Sequence, residues 1–198
     1  MQANELFTQP NTILLDGGMG TMLQAAGLKL GAKPEELNIT DPALIEGIHA
    51  KYAAAGSRII NANTFGASAH KLAGSAYTLE EIIAAGIANC KRACAPYGAL
   101  TTLDVGPLGE LLEPSGTLAF EDAVNEYARI VRAGVAAGAD LIFFETFTDL
   151  YELKAALLAA KENSTLPILA SMSFEAGGRT FTGCTVESFG VTARGLGA

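Results

Sequence analysis

The sequence predicts an α/β fold in which helices cover a parallel sheet. Short segments that are apolar on both faces alternate with alanine-rich helical segments, a pattern typical of strands buried between helices. No G-x-G-x-x-G follows the first predicted strand and no Walker loop is present, which favours a (β/α)8 barrel over a doubly wound sheet. Because only five strands are predicted, we expect about five of the eight βα units of a TIM barrel.

The predicted strands are short apolar runs bounded by polar residues, glycine or proline. Each is long enough to cross a sheet once and is followed by a segment that begins a helix or a turn. In chain order they are Thr12 to Asp16, Arg58 to Asn63, Ala99 to Val105, Leu141 to Glu145, and Pro167 to Ser173.

Capping signals give the boundaries of the helices between these strands. Asp41 is an N-cap followed by Pro42 in the first turn, and that helix is expected to end at Gly56. Thr78 and Glu81 have the spacing of a capping box. Three further helices are predicted: from about Leu118 to Ala137, from an acid-capped start at Asp149, and around Glu187 to Val191.

Composition excludes several classes of function. The chain of 198 residues has 13 basic and 21 acidic residues, a net charge of −8, so binding to a nucleic-acid backbone is not expected. The first residues lack the pattern of a signal peptide, and no apolar run approaches the roughly 20 residues of a spanning helix. Three cysteines do not make a secreted disulfide framework. We expect a cytoplasmic protein with no membrane partner.

Polar side chains are predicted where the strands end. Because reactive residues of a parallel barrel lie at the carboxyl ends of its strands, these side chains are expected on one rim. Two carboxylates among neutral amides suit a small cation such as an amino-acid ammonium group, and exposed glycine N–H groups beside a helix start suit a carboxylate. The alternative is that the Asp-Gly-Gly segment is only a tight turn and that Asp104 only caps one. The rim residues are Asp16 with Gly17, Gly18 and Gly20, Asn61 with Asn63 and Thr64, Asp104, and Glu145 with Thr146.

The cysteines and histidines give no independent sign of a catalytic centre. Cys90 and Cys94 share one helix face, but no histidine has ligand spacing to them, so they are interpreted as small buried hydrophobic residues. His49 is expected on a helix surface and His70 at a helix start, neither with a local nucleophile partner.

Five motifs occur over about residues 11 to 190. They are Asp16-Gly17-Gly18-Met19-Gly20-Thr21, Asn63-Thr64-Phe65-Gly66-Ala67, Gly106-Pro107-x-Gly109 with Glu113-Pro114-Ser115-Gly116-Thr117, Phe144-Glu145-Thr146-Phe147, and Gly178-Arg179-Thr180 with Thr182-Gly183. In this order and spacing the five motifs together resemble the homocysteine S-methyltransferase family. The motif after the second strand resembles the homocysteine-binding barrel of that family's cobalamin-dependent methionine synthase branch.

The resemblance implies a barrel that binds homocysteine and presents its thiolate on zinc for methylation to methionine. It places the family's acids on Asp16 and Glu145 and its glycine backbone contacts on Gly17 and Gly18. Asn63 and Thr64, in the motif after the second strand, are further expected substrate-binding residues. Zinc would supply the thiolate nucleophile by displacing the thiol proton. Cobalamin and methyltetrahydrofolate would bind other modules.

The chain departs from the family at the metal. The family's zinc cysteines follow strand six and form a Gly-Gly-Cys-Cys-Gly loop near strand eight, and neither motif is present, so the ligands are expected beyond Ala198. Residues 1–198 are then the N-terminal portion of a homocysteine-binding barrel without strands six to eight, inactive alone. The alternative is a zinc-free amino-acid-binding or interaction module. Either form leaves open sheet edges, which predicts self-association.

Overall fold

The computed structural model describes residues 7, 8, 10, 12–29 and 31–198. Its centre is a parallel sheet of four strands in the order β1-β2-β3-β4, each joined to the next through helix. The matched order in sequence and space is that of consecutive βα units in a barrel wall. The strands are β1 (Ile59–Asn61), β2 (Leu100–Val105), β3 (Leu141–Phe147) and β4 (Ile168–Met172).

The predicted first strand is shorter than expected. Of residues Thr12 to Asp16, only Leu15 forms a bridge, parallel to Ile59. The Arg58 N–H donates to the Leu14 carbonyl at 2.8 Å, and the Asp16 N–H donates to the Ile59 carbonyl at 3.1 Å. The ladder stops there because the chain turns away at the glycines that follow. The segment still lies beside β1, so the parallel order begins with it.

The described residues contain seven α-helices, of which three precede β1 and one follows each strand, and two single 3-10 turns. Thr78 and Glu81 form the predicted capping box, while Asp41 and Asp149 accept N–H bonds as N-caps. The helices are α1 (Met19–Ala25), α2 (Leu37–Thr40), α3 (Pro42–Ala54), α4 (Leu79–Cys94), α5 (Phe120–Ala136), α6 (Leu150–Asn163) and α7 (Val186–Leu196), with 3-10 turns at Pro34–Glu36 and Ala95–Tyr97.

The main core lies between the sheet and helices α4, α5 and α6. At its centre, Tyr127 and Phe147 each meet the Phe144 ring in an edge-to-face arrangement, with centroids about 6 Å apart. A smaller cluster of Ile59, Leu100 and Leu141 covers the opposite face. Residues of successive strands at one level on that face form a layer of the kind that fills a barrel interior.

His49 does not lie on a helix surface, so that prediction was wrong. It is fully buried in α3, because one side of this helix packs with α1 in a cluster around Leu23 and Ile45 while α4 and β1 contact it as well. His70 is not at a helix start either: it lies in a turn, where its Nδ1 is 3.5 Å from Glu110 Oε2. In the described part of the chain, no helix is long and apolar enough to cross a membrane.

Candidate amino-acid site

A cavity of about 380 Å³ opens at the carboxyl ends of the strands. Its wall is built from the segment after Leu15, from the ends of β1, β2 and β3, and from the 3-10 turn at Pro34–Glu36. This is the position at which parallel barrels bind ligands. The lining residues are Asp16, Gly17, Gly18, Met19, Gly20, Pro34, Glu35, Asn61, Ala62, Asn63, Phe65, Asp104, Glu145 and Thr146.

A bulge at the end of β3 contains Glu145. Phe144 pairs with Ala170 and Phe147 with Met172, so β3 has one more residue than β4 between these pairs. Thr146 takes a left-handed φ of 54° inside the bulge, and its N–H donates to Ser171 Oγ at 2.9 Å. Bulges re-aim side chains next to active sites, and left-handed backbone at a non-glycine residue is strained. The extra residue returns Phe147 to the face on which Phe144 lies, where the two rings meet in the main core.

Asp16 is a carboxyl group that is largely removed from water, and no cation of the described residues forms an ion pair with it. Its Oδ2 accepts the Asn61 N–H at 3.0 Å, while Oδ1 is buried and no donor within the described residues reaches it. Burial raises the pKa of Asp16 from 3.8 to about 7, against the lowering effect of the N–H bonds and with a further rise from Glu145. Negative charge on Asp16 is therefore unfavourable in the empty cavity, and a bound cation would offset this cost.

Asp104 and Glu145 form a coupled acid pair. Asp104 is 5% exposed at the end of β2, and its carboxyl group lies within hydrogen-bonding reach of Glu145 when one of the two is protonated. Burial raises the pKa of Asp104 well above its usual range, and the charges of Glu145 and Asp16 raise it further. The pKa of Glu145 is raised by burial. Negative charge on both carboxyl groups at once is therefore unfavourable at this edge of the cavity.

Asparagine side chains hold the wall after β1 in place. Asn63 Nδ2 donates to the Pro34 carbonyl at 2.8 Å and to Asn38 Oδ1 at 3.0 Å, and Asn38 Nδ2 donates back to the Asn63 carbonyl at 2.8 Å. The Asn63 side chain thus lines the cavity with both of its N–H bonds already used. Thr64 lies behind the wall: its Oγ1 donates to the Asp104 carbonyl at 2.8 Å, which ties β1 to β2.

The Gly17–Gly18 turn is shaped by Tyr52. Tyr52 Oη donates to the Gly18 carbonyl at 3.2 Å, and a Cβ on Gly17 would lie 2.9 Å from the Tyr52 ring. Only glycine fits at position 17 without moving that ring. Within the described residues, neither glycine N–H donates to a backbone carbonyl, so both can serve a ligand.

Glu35 is a site residue that the sequence reasoning missed. It is 7% exposed and lines the cavity from the 3-10 turn, and its Oε1 accepts the Gly66 N–H at 2.8 Å. A Cβ on Gly66 would collide with this carboxylate. The signal in the sequence was indirect, since Gly66 belongs to a predicted motif but nothing near Glu35 marks a strand end.

Five of the six predicted substrate-binding residues line this one cavity, and Thr64 supports its wall. The cysteines lie elsewhere. Cys90 and Cys94 are buried on α4 with their sulfur atoms 3.8 Å apart, and Cys184 is half-buried in the loop before α7. No group of three His, Cys, Asp or Glu side chains among the described residues is arranged to hold a metal ion.

Comparison with known proteins identifies the family. The family model for homocysteine S-methyltransferases matches residues 13–196. The chain belongs to the homocysteine S-methyltransferase family. The chain is 31% identical over 206 aligned positions to a methionine synthase of Mycobacterium tuberculosis. The alignment covers 91% of this chain but only 17% of that protein.

Solved structures confirm the fold of the homocysteine S-methyltransferase family in this chain. The oxidized form of the homocysteine methyltransferase MmuM from Escherichia coli matches with a TM-score of 0.86 at 21% identity, covering 98% of this chain and 73% of that one. The metallated form matches with a TM-score of 0.83 at 19% identity, covering 97% and 73%. The predicted partial barrel is thereby confirmed as a fold.

Proposed function

We propose that this chain binds homocysteine as the methyl acceptor in a methyltransferase of the methionine synthase type. One observation carries the proposal: Asp16 and Glu145, two carboxyl groups with no ion pair among the described residues, line the same cavity as Gly17 and Gly18, whose N–H groups donate to no backbone carbonyl within that part of the chain. The family membership of residues 13–196 supports the choice of homocysteine among amino acids.

The arrangement suits both ends of an α-amino acid. Asp16 and Glu145 are partly buried, and an ammonium group beside them would offset the hydration that these carboxylates lose on folding. The α-carboxylate would accept hydrogen bonds from the backbone at Gly17 and Gly18, where no side chain blocks its approach. A volume of about 380 Å³ is at the small end of ligand cavities, as a single amino acid requires.

The zinc that the family implies does not fit the residues described. The three cysteines lie away from the cavity, and the cavity acids are not arranged as a metal-binding group. We therefore derive no step through zinc in this chain. Zinc ligands from outside the chain, with cobalamin and methyltetrahydrofolate on other modules, complete the proposal. In this account the 198-residue chain does not transfer methyl groups alone.

Titration calorimetry with homocysteine, with and without added zinc, tests the proposal. We expect binding without added zinc, because no group of the described residues is arranged to hold the metal; binding that requires added zinc would contradict a metal-free substrate site in this chain. We expect Glu145→Gln to weaken homocysteine binding at least tenfold. Asp122→Asn, which removes an exposed acid on α5, is the matched control and should leave binding unchanged. Absence of any homocysteine binding would refute the proposal.

A methyl-transfer assay tests the proposal that the 198-residue chain does not transfer methyl groups alone. Conversion of homocysteine to methionine by the purified 198-residue chain with zinc would contradict the claim that the metal ligands come from elsewhere.

A further inference from the structure

Glu152 is a buried carboxylate that the proposed site does not use. It is 3% exposed in the first turn of α6, and its Oε1 accepts the Leu108 N–H at 2.7 Å and the Tyr127 hydroxyl at 2.9 Å. Glu81 occupies the same position in α4, but its carboxylate accepts the N–H of Thr78 at the start of its own helix. Burying a carboxylate costs free energy, and the Glu152 carboxylate is bonded to a distant loop instead of its own helix.

The loop that Glu152 holds directly follows β2. The Leu108 N–H donates to Glu152, and the Leu108 carbonyl accepts the Ser68 hydroxyl at 3.2 Å, so the backbone of Leu108 is held on both sides. Pro107 precedes it with a fixed φ and links it stiffly to Gly106. Holding Leu108 therefore restrains Gly106 as well.

Gly106 in turn holds Phe65. The Gly106 N–H donates to the Phe65 carbonyl at 3.0 Å, and a Cβ on Gly106 would lie 2.7 Å from the Phe65 ring, so the ring packs against this backbone. Lys71 Nζ lies 5.1 Å from the centroid of the same ring. Phe65 is 37% exposed and lines the cavity, whereas Glu152 lies behind the wall. These contacts form a chain from α6 to a surface that a bound amino acid would meet.

The main core fixes the other partner of Glu152. Tyr127 is fully buried, and its ring meets Phe144 edge to face with centroids 6.1 Å apart, so its hydroxyl is presented from a packed ring. Both bonds to Glu152 end on one oxygen, Oε1, and a carboxamide oxygen can also accept two bonds. A hydrocarbon side chain at this position would leave the Leu108 N–H without this acceptor. The position therefore requires an oxygen acceptor.

We infer that Glu152 is a positioning residue of the cavity, which holds Phe65 on the cavity wall through Leu108 and Gly106. This inference rests on the proposed binding of homocysteine and extends it to a residue that does not touch the ligand. It requires that the effect of Glu152 on ligand binding depends on the Phe65 ring.

A double-mutant cycle in the 198-residue chain tests this dependence. Calorimetry measures homocysteine binding to Glu152→Leu, to Phe65→Leu and to the double variant. Tyr127→Phe, which removes one of the two bonds to the carboxylate, takes the place of Glu152→Leu in the cycle if that variant does not fold. Glu152→Gln is the conservative variant. Glu81→Leu is the matched control, because it removes a carboxylate from the same helix position in α4, where the carboxylate caps its own helix.

We expect Glu152→Leu and Phe65→Leu each to weaken homocysteine binding about tenfold, and the double variant to bind no more weakly than Phe65→Leu. Tyr127→Phe should weaken binding about threefold. Glu152→Gln should bind like the original chain, because it keeps the acceptor oxygen. Glu81→Leu should lower the melting temperature and leave binding unchanged. An equal loss on Glu152→Leu with and without the Phe65 ring would overturn the inference.

Hydrogen exchange without ligand separates this inference from the proposed function. In Glu152→Leu and Tyr127→Phe, the Gly106 N–H should exchange about tenfold faster relative to the Leu103 N–H on β2, and in Glu81→Leu this ratio should not change. If homocysteine does not bind but the Gly106 ratio responds, the proposed function fails and the positioning role stands. If homocysteine binds, the cycle is additive and the ratio is unchanged, the positioning role is refuted and the proposed function stands.

Discussion

Replacing Asp16 by asparagine is expected to stabilise the fold while it removes amino-acid binding. Asparagine keeps an oxygen that can accept the Asn61 N–H, so the local backbone contact survives. It removes a charge that the empty cavity disfavours. The substitution thus separates the needs of the ligand from those of the fold.

The magnitude follows from the pKa of Asp16, which rises from 3.8 to about 7 on folding. A carboxyl group with a raised pKa contributes its full stability below the unfolded pKa, and this contribution is lost as the pH rises through the folded pKa. A rise of about three units corresponds to about 4 kcal/mol above pH 7. Because Asp16 is partly exposed, solvent screening reduces this figure, and we expect about 2 kcal/mol.

Thermal unfolding of both chains at pH 5 and pH 8 provides the assay. In a domain of this size about 2 kcal/mol raises the melting temperature by about 4–8 °C. The gain from Asp16→Asn should be largest at pH 8 and clearly smaller at pH 5, because the folded original chain is protonated at pH 5. Homocysteine binding should fall at least tenfold at pH 8. A melting temperature at or below that of the original chain at pH 8, or a gain that does not vary with pH, would refute the reasoning.

Four further predictions concern the support of the site and the open sheet. Gly86→Ala should destabilise the fold by about 1–3 kcal/mol in urea unfolding, since its Cβ would lie 2.7 Å from Asn38 Nδ2; an unchanged midpoint would contradict the packing described. His49→Leu should be more stable than the original chain, because both ring nitrogens of the buried histidine lack partners among the described residues. Burial also lowers the pKa of His49 to about 4, so the original chain should lose about 3 kcal/mol of unfolding free energy between pH 7 and pH 4, and the variant should not. Thr146→Gly should relieve left-handed strain and stabilise by about 1 kcal/mol, and a loss of stability would argue against strain there. Open sheet edges predict association in solution, so light scattering that gives a monodisperse 20.4 kDa species would contradict that expectation.

Local signals predicted the elements well where the chain itself supplies the partner. The Thr78 capping box, the Asp149 cap and the alternation of strands and helices depend on residues a few positions apart, and all appear in the structure. The first strand was predicted too long, because its extent depends on how far Leu15 can pair with β1 before the chain turns. The local sequence pattern does not predict how far a strand pairs with a segment distant in sequence.

The burial of polar residues was predicted less well. His49 looks like a surface residue in a helical pattern, yet packing on two sides of α3 removes it from water. Glu35 shows no local sign of function and reaches the cavity only because Gly66, 31 positions later, leaves room for its carboxylate. Both depend on contacts between segments far apart in sequence.

The sequence by itself determined the α/β alternation, the family, and the acids and glycines that lie at strand ends. These follow from periodicity, capping and motif spacing, which act over short distances along the chain. Only the tertiary structure decided which oxygens of Asp16, Asn61 and Asp104 lack donors among the described residues, why burial raises the pKa of Asp104, and where Glu35 lies. Desolvation and pairing depend on every segment around a group, so they are defined once the parallel segments have come together.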